Sequence, residues 1–191
     1  PARSATEEAI RLARKHGLWI SLDPNLRKPL WPGENAAREA MEWSFHHADI
    51  VKVSDEEIEF LWGLKPEEGA DRLLQMGVSL VYVTMGSKGA LASTGTQRVQ
   101  VSSPSGIHPI DTTGAGDIFG GSAMSQLLAT KKAIDQLHAD DLTSITCFAC
   151  TAASLSTEKH GGISSVPGKE MVLERMRKSL QMTDTEGFLA V

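Results

Sequence analysis

Residues 50–84 read IVKVSDEEIEFLWGLKPEEGADRLLQMGVSLVYVT, and this stretch decides the fold class. Ile50-Val51-Lys52-Val53 is a short run of mostly β-branched residues and predicts a strand. Ser54 with Glu57 three positions on forms a capping box that opens a helix through Trp62. Pro66 to Met76 predicts a second helix, stopped at Gly77, and Leu80-Val81-Tyr82-Val83-Thr84 predicts another strand. Buried strands alternating with helices mean a mainly parallel, doubly wound sheet of the α/β class.

The same alternation extends in both directions. Upstream, Ser4-Ala5-Thr6-Glu7 fits a capping box for a helix that ends at Gly17. Leu18-Trp19-Ile20-Ser21-Leu22 then predicts a buried strand ending at Asp23-Pro24, and Glu34 to His47 a helix. Downstream, Gly89 to Ser93 and Arg98 to Ser102 predict a hairpin around Gly95 inserted into the sheet. A helix of small residues follows Gly114, and a long apolar helix covers about Asp140 to Leu155. An amphipathic helix from Lys169 to Gln181 ends a domain expected to span residues 1–181, with 182–191 a polar tail. The four tryptophans, Trp19, Trp31, Trp43 and Trp62, are expected in the core. In such sheets ligands bind beyond the carboxyl ends of the strands, which directs attention to the loops after Leu22, Val53 and Thr84.

Composition removes several function classes. The 191 residues carry a formal net charge of -5, with 41% hydrophobic and 23% charged residues. A net negative chain lacks the basic face that nucleic acids and anionic membranes require. No apolar run approaches the roughly 18 residues that span a bilayer, and no signal-peptide order is present, so the expected compartment is the cytoplasm. Cys147 and Cys150 lie inside an apolar helical stretch and read as packing residues rather than a redox pair.

Gly114-Ala115-Gly116-Asp117, opening a helix, carries the strongest chemical signal. Glycines allow close backbone approach, and the first amides of a helix point outward with partial positive charge, which suits phosphate or developing negative charge. Asp117 in the first turn can accept a hydroxyl proton. Spacing alone equally allows a glycine turn with an acid favouring the helix dipole. Neither a Walker P-loop nor a dinucleotide fingerprint is present. Glu57 can hold magnesium through water, or serve only its capping box. Thr84-Met85-Gly86-Ser87-Lys88-Gly89 is either a nucleotide loop or a plain tight turn. Asp23-Pro24-Asn25-Leu26-Arg27 either hydrogen-bonds a polyol or forms an Asx-type turn with Arg27 a surface charge.

Taken in order, Asp23 to Arg27 with Leu30-Trp31, Lys52 to Glu57, Thr84 to Gly89, Asp111 to Asp117 and Gly161 to Pro167 resemble the ribokinase-like (PfkB) carbohydrate kinases. The resemblance runs to about residue 181 and implies ATP-dependent phosphorylation of a sugar hydroxyl. It implies Asp117 as catalytic base and the amides of Gly114, Ala115 and Gly116 as an anion hole. Glu57 matches an acid that orders Mg2+, while Ser54 stands where the family usually has Asn. The resemblance implies nucleotide contacts at Lys52, Ser54, Thr84, Gly86, Ser87, Gly89 and Gly162. Asn25, Arg27 and Asp117 are implied for the sugar. Asp111, Thr113, Ser156, Gly161 and Ser165 match a monovalent-cation loop, typically for K+. The Asp23–Arg27 stretch is most similar to fructokinases, with 2-keto-3-deoxygluconate kinases near relatives in which the arginine suits a carboxylate.

Members of this family are longer and begin with strands, a glycine-rich sugar-binding segment and a lid, which this sequence lacks. The expected sheet is therefore incomplete on its amino-terminal side. The alternative to a kinase is a non-enzymatic ATP-binding remnant. A homo-oligomer, or association over an exposed sheet edge, is the expected consequence.

Overall fold

The computed structural model describes residues 2–186. The elements run α1 (Ala2–Lys15), β1 (Ser21–Leu22), α2 (Glu34–Phe45), β2 (Ile50–Ser54), α3 (Asp55–Trp62), α4 (Pro66–Gln75) and β3 (Leu80–Thr84). They continue with β4 (Ala90–Thr94), β5 (Arg98–Val101), α5 (Ala115–Thr130), α6 (Ala139–Ser156) and α7 (Lys169–Glu186). Five strands form one sheet in the order β1-β2-β3-β4-β5. The β1–β2 and β2–β3 pairs are parallel, with Ser21 opposite Ile50 and Ser54 opposite Thr84. Only Gly95, Thr96 and Gln97 join β4 to β5, too short a link for a parallel crossover, so this pair is the expected hairpin. The α/β class and the mainly parallel sheet flanked by helices are as expected.

Two compact units make up the chain. One comprises residues up to Thr84 plus Ser93–Thr96, the other Met85–Ala92 and the residues from Gln97 onward. In the first, Ile50, Val51, Val53, Leu80, Val81 and Val83 are fully buried, as strands covered on both faces require. Helix α3 packs on β2 and α4 on β3. A Cβ on Gly69 would fall 2.4 Å from the Cγ2 of Ile58, so glycine is what lets α3 and α4 approach so closely. In the second unit α6 packs against α5, β5 and α7, and Ile118, Phe148, Ala152 and Val172 form a buried cluster. Cys150 is buried and Cys147 half-buried on α6, both free thiols; burial pushes the Cys150 thiol up to about 12. Packing cysteines are what that environment makes them.

Four local expectations are corrected. Ser4 does not cap α1, which already includes Ala2; Glu7 instead accepts from Arg3 Nε one turn earlier at 3.0 Å. The strand expected over 18–22 shrinks to Ser21–Leu22, because among the described strands β1 is the sheet edge and pairs on one side only. Leu18 and Trp19 are accordingly 58% and 41% exposed. None of the four tryptophans is buried: Trp31 is also exposed, and Trp43 and Trp62 are half-buried. Their rings lie under cations instead, Trp62 under Arg72 and Trp43 under Arg3, a placement that an amphipathic ring tolerates at the surface. Helix α7 continues past Gln181 to Glu186, and the end of the expected polar tail, residues 187–191, lies outside the described residues.

Candidate functional site

The first unit assembles its polar residues at the carboxyl ends of β1, β2 and β3. The Asp23 carboxylate accepts from the Asn25 amide at 3.0 Å, the Asx-type turn that its sequence allows. Asn25 takes the left-handed conformation, φ 46°, which asparagine tolerates better than most residues. The other Asp23 oxygen accepts from Lys52 Nζ at 3.1 Å; the two side chains are only 29% and 13% exposed. Glu57 is buried, at 9% exposure. Its Oε1 accepts from the Leu26 amide at 2.8 Å and its Oε2 from the Ser54 amide at 2.9 Å. The Glu57 amide in turn donates to Ser54 Oγ at 3.1 Å, completing the capping box. Ser54 lies opposite Thr84 in the ladder, and Thr84 Oγ1 donates to the Val53 carbonyl at 3.4 Å. Asn25, Lys52, Ser54, Glu57 and Thr84 thus share one end of the sheet. Arg27 is exposed and folds back on its own loop, donating to the carbonyls of Leu26 and Asn25 at 3.0 and 3.4 Å.

In the second unit the Gly86–Lys88 turn is tight and glycine-dependent. Gly86 has φ 54° and Gly89 φ 100°, and a Cβ on Gly89 would fall 1.9 Å from the Val101 carbonyl oxygen. Gly89 is therefore demanded by the hairpin, whereas Gly86 and Ser87 are exposed and open to a ligand.

The principal assembly of this unit is built from two loops that face each other. Gly114 caps α5 in the left-handed region, φ 79°, and no side chain caps this end. A Cβ there would also lie 3.1 Å from the Cα of Gly162. Ala115 donates its amide to the Thr112 carbonyl at 3.2 Å, so Gly116 and Asp117 carry amides of the kind that a helix start leaves without intrahelical partners. Asp117 stands exposed in the first turn.

Asp111 ties the two loops together. It accepts from the Thr113 amide on Oδ1 and from the Gly161 amide on Oδ2, each at 2.9 Å. The Thr157 carbonyl accepts from the amides of Ile110 and Asp111 at 2.7 and 3.1 Å. The Gly161 amide first, then the Thr113 hydroxyl and amide, hold the Asp111 carboxyl down at about 2. Ser165 is buried and donates to the Gly162 carbonyl at 2.8 Å, and Ser156 donates to Ala153 at 2.7 Å within α6. Asp111, Thr113, Gly114, Gly161, Gly162 and Ser165 are brought together by these bonds.

The oxygen-donor chemistry fits the implied ligands. One carboxylate with hydroxyl and carbonyl oxygens around it suits a hard monovalent cation. Among the described residues no three His, Cys, Asp or Glu side chains gather as a metal cluster. A magnesium ion held by one carboxylate through water, with phosphates supplying the rest, needs no such cluster. Each Glu57 oxygen keeps a second lone pair beside its amide bond. Sequence reasoning missed the Asp23–Lys52 pair, the Leu26–Glu57 bond and the Thr157 carbonyl. No local pattern signals contacts made across 29 or 31 positions.

The profile of the pfkB family carbohydrate kinases matches residues 2–169. Fructokinase-2 of Solanum lycopersicum is 37% identical over 174 residues, which are 87% of this chain and 51% of that protein. A fructokinase of Vibrio cholerae, solved with fructose, ADP and potassium ion, superposes with a TM-score of 0.83 at 32% identity, over 92% of this chain and 56% of its own. An aminoimidazole riboside kinase of Salmonella enterica, solved with aminoimidazole riboside and an ATP analogue, gives 0.79 at 26% identity, covering 92% and 58%. The chain spans about half the length of these relatives.

Proposed function

The chain belongs to the pfkB family of carbohydrate kinases, and on that footing we propose that it carries the nucleotide and phosphoryl-transfer portion of an ATP-dependent sugar kinase, with fructose as the sugar. The observation behind this reading is the uncapped start of α5, with Gly114 held against Gly162 and Asp117 in the first turn.

Asp117 takes the proton from the sugar hydroxyl as that oxygen bonds to the γ-phosphorus and the bond to ADP breaks. Amides of the Gly114–Gly116 turn meet the negative charge that develops, an arrangement that costs no reorganisation when the charge appears. The family resemblance implies nucleotide contacts at Lys52, Ser54 and Thr84 in the first unit and at Gly86, Ser87 and Gly162 in the second. Glu57 would hold Mg2+ through water, and the ion would supply charge that offsets the phosphates. Asp111, Thr113, Ser156, Gly161 and Ser165 would hold K+, whose charge would lie beside the glycine turn. Asn25 and Arg27 belong to the sugar side. Arg27 already donates to two carbonyls of its own loop, which favours a neutral sugar over 2-keto-3-deoxygluconate.

Two free thiols accord with a cytoplasmic setting.

Calorimetry with ATP and with NAD, followed by coupled ADP release with fructose and with 2-keto-3-deoxygluconate, tests this reading. ATP binding with weak or undetectable turnover by this chain alone is the expected result. NAD binding more tightly than ATP would sink it, and faster turnover of the keto acid would move the substrate. ATP binding that no sugar alters would leave a non-enzymatic nucleotide-binding chain.

A further inference from the structure

Resting on that reading, we infer that Glu57 is a positioning residue: it fastens the Asp23–Arg27 loop to the β2–α3 turn, so one carboxylate serves both the sugar-side loop and the metal–nucleotide side. A capping box needs only one of its oxygens, the one that accepts from the Ser54 amide. The other oxygen reaches 31 positions back along the chain to the Leu26 amide, between the two proposed sugar-side residues Asn25 and Arg27. Both bonds are charge-assisted and short, and the carboxylate is buried, so water does not compete freely for either amide.

The loop is fastened at a second point by the Lys52–Asp23 ion pair, one strand residue away from Val53. The two ties fix different ends of the Asp23–Arg27 stretch. Lys52 sets where it leaves β1, and Glu57 sets the height of Leu26 over the β2–α3 turn. A shift of Glu57 towards a metal-bound water would therefore be felt at the Leu26 amide. Binding on the nucleotide side is thereby transmitted to the sugar-side loop without any direct contact between ligands.

Glu57→Gln tests this, because an amide side chain offers one acceptor where two backbone donors wait. Amide hydrogen exchange is followed by NMR on the intact chain, with calorimetry on the same samples. We expect the Leu26 amide to exchange about tenfold faster in E57Q, the size of one lost charge-assisted bond. Val81 and Leu80 in the buried strand should not change. In the wild-type chain Mg-ATP should slow Leu26 exchange about threefold or more, and in E57Q that response should vanish. A merely structural cap would lose protection at Ser54 but would not couple Leu26 to nucleotide.

Unchanged Leu26 exchange in folded E57Q overturns the proposal. So does wild-type Leu26 exchanging at the unprotected rate, a measurement that needs no variant and decides the matter if E57Q fails to fold. Mg-ATP that binds without slowing Leu26 also overturns it. If calorimetry finds no nucleotide binding while E57Q still exposes Leu26, the fastening stands and the kinase reading fails instead.

Discussion

The polar ends of the two units are built by opposite means. In the first, side chains hold the backbone: Glu57 and the Asp23–Lys52 pair pin the Asp23–Arg27 loop, which contains no glycine. In the second, the backbone itself makes the shape, through left-handed Gly114 and Gly161 and the contact of Gly114 with Gly162, and the Asp111 carboxylate ties the loops. A site fixed by side chains can shift in small steps when a ligand pulls on one of them. A site fixed by glycine geometry is there or not, because no rotamer change relieves a Cβ clash. The division suits the proposed chemistry. Substrate loops gain from adjusting, whereas stabilisation of developing charge depends on preorganised amides.

The sharpest way to break this contrast is Asp117→Asn. The variant should lower kcat by about 10²–10⁴-fold wherever turnover is measurable, with nucleotide affinity nearly unchanged. Coupled ADP release beside calorimetry reads both, and undiminished turnover would remove Asp117 as the base. Next in size is Gly114→Ala. It forces an L-residue to φ 79° and places a methyl 3.1 Å from Gly162. We expect a loss of about 1–3 kcal/mol in urea unfolding and weaker nucleotide binding. If stability and binding are both retained, the second site is less rigid than its geometry states.

Lys52→Met is the counterpart in the first unit. It leaves the partly buried Asp23 carboxylate without its ion pair, at a cost of about 1–2 kcal/mol, while the Leu26–Glu57 bond survives. Nucleotide affinity should fall as well, since Lys52 is proposed to border the nucleotide; a fall with no loss of stability would show that Lys52 does not hold the loop.

The smallest effect is expected from pH. The Asp111 carboxyl is held below its ordinary value in the folded chain, so its contribution to stability is fully present above about pH 4. That contribution fades as pH falls towards about 2. Asp111→Asn should flatten that part of the acid-unfolding profile and leave the neutral range in place. An unchanged acid limb would mean that other carboxylates govern it.

Both sites were legible in the sequence to different depths. Ser54–Glu57 announced its capping box and the Gly114 turn its helix start, since these are local patterns with residues three or fewer positions apart. The strand at 18–22 misled, because an apolar run reads the same whether one or two neighbours cover it. Trp19 and Leu18 are exposed for that reason. The tryptophans misled likewise: hydrophobicity marks a ring as coreward, but Arg72 over Trp62 and Arg3 over Trp43 show cations covering it at the surface.

By itself the sequence determined the α/β class, the capping box that opens α3, the glycine turn before α5 and the order of the polar loops, because each depends on neighbours a few positions apart. The tertiary structure alone decided which polar groups meet. Asp111 with Gly161 across 50 positions and Glu57 with Leu26 across 31 depend on how strands and loops stack. Such pairs follow from register and burial, which no window of sequence contains.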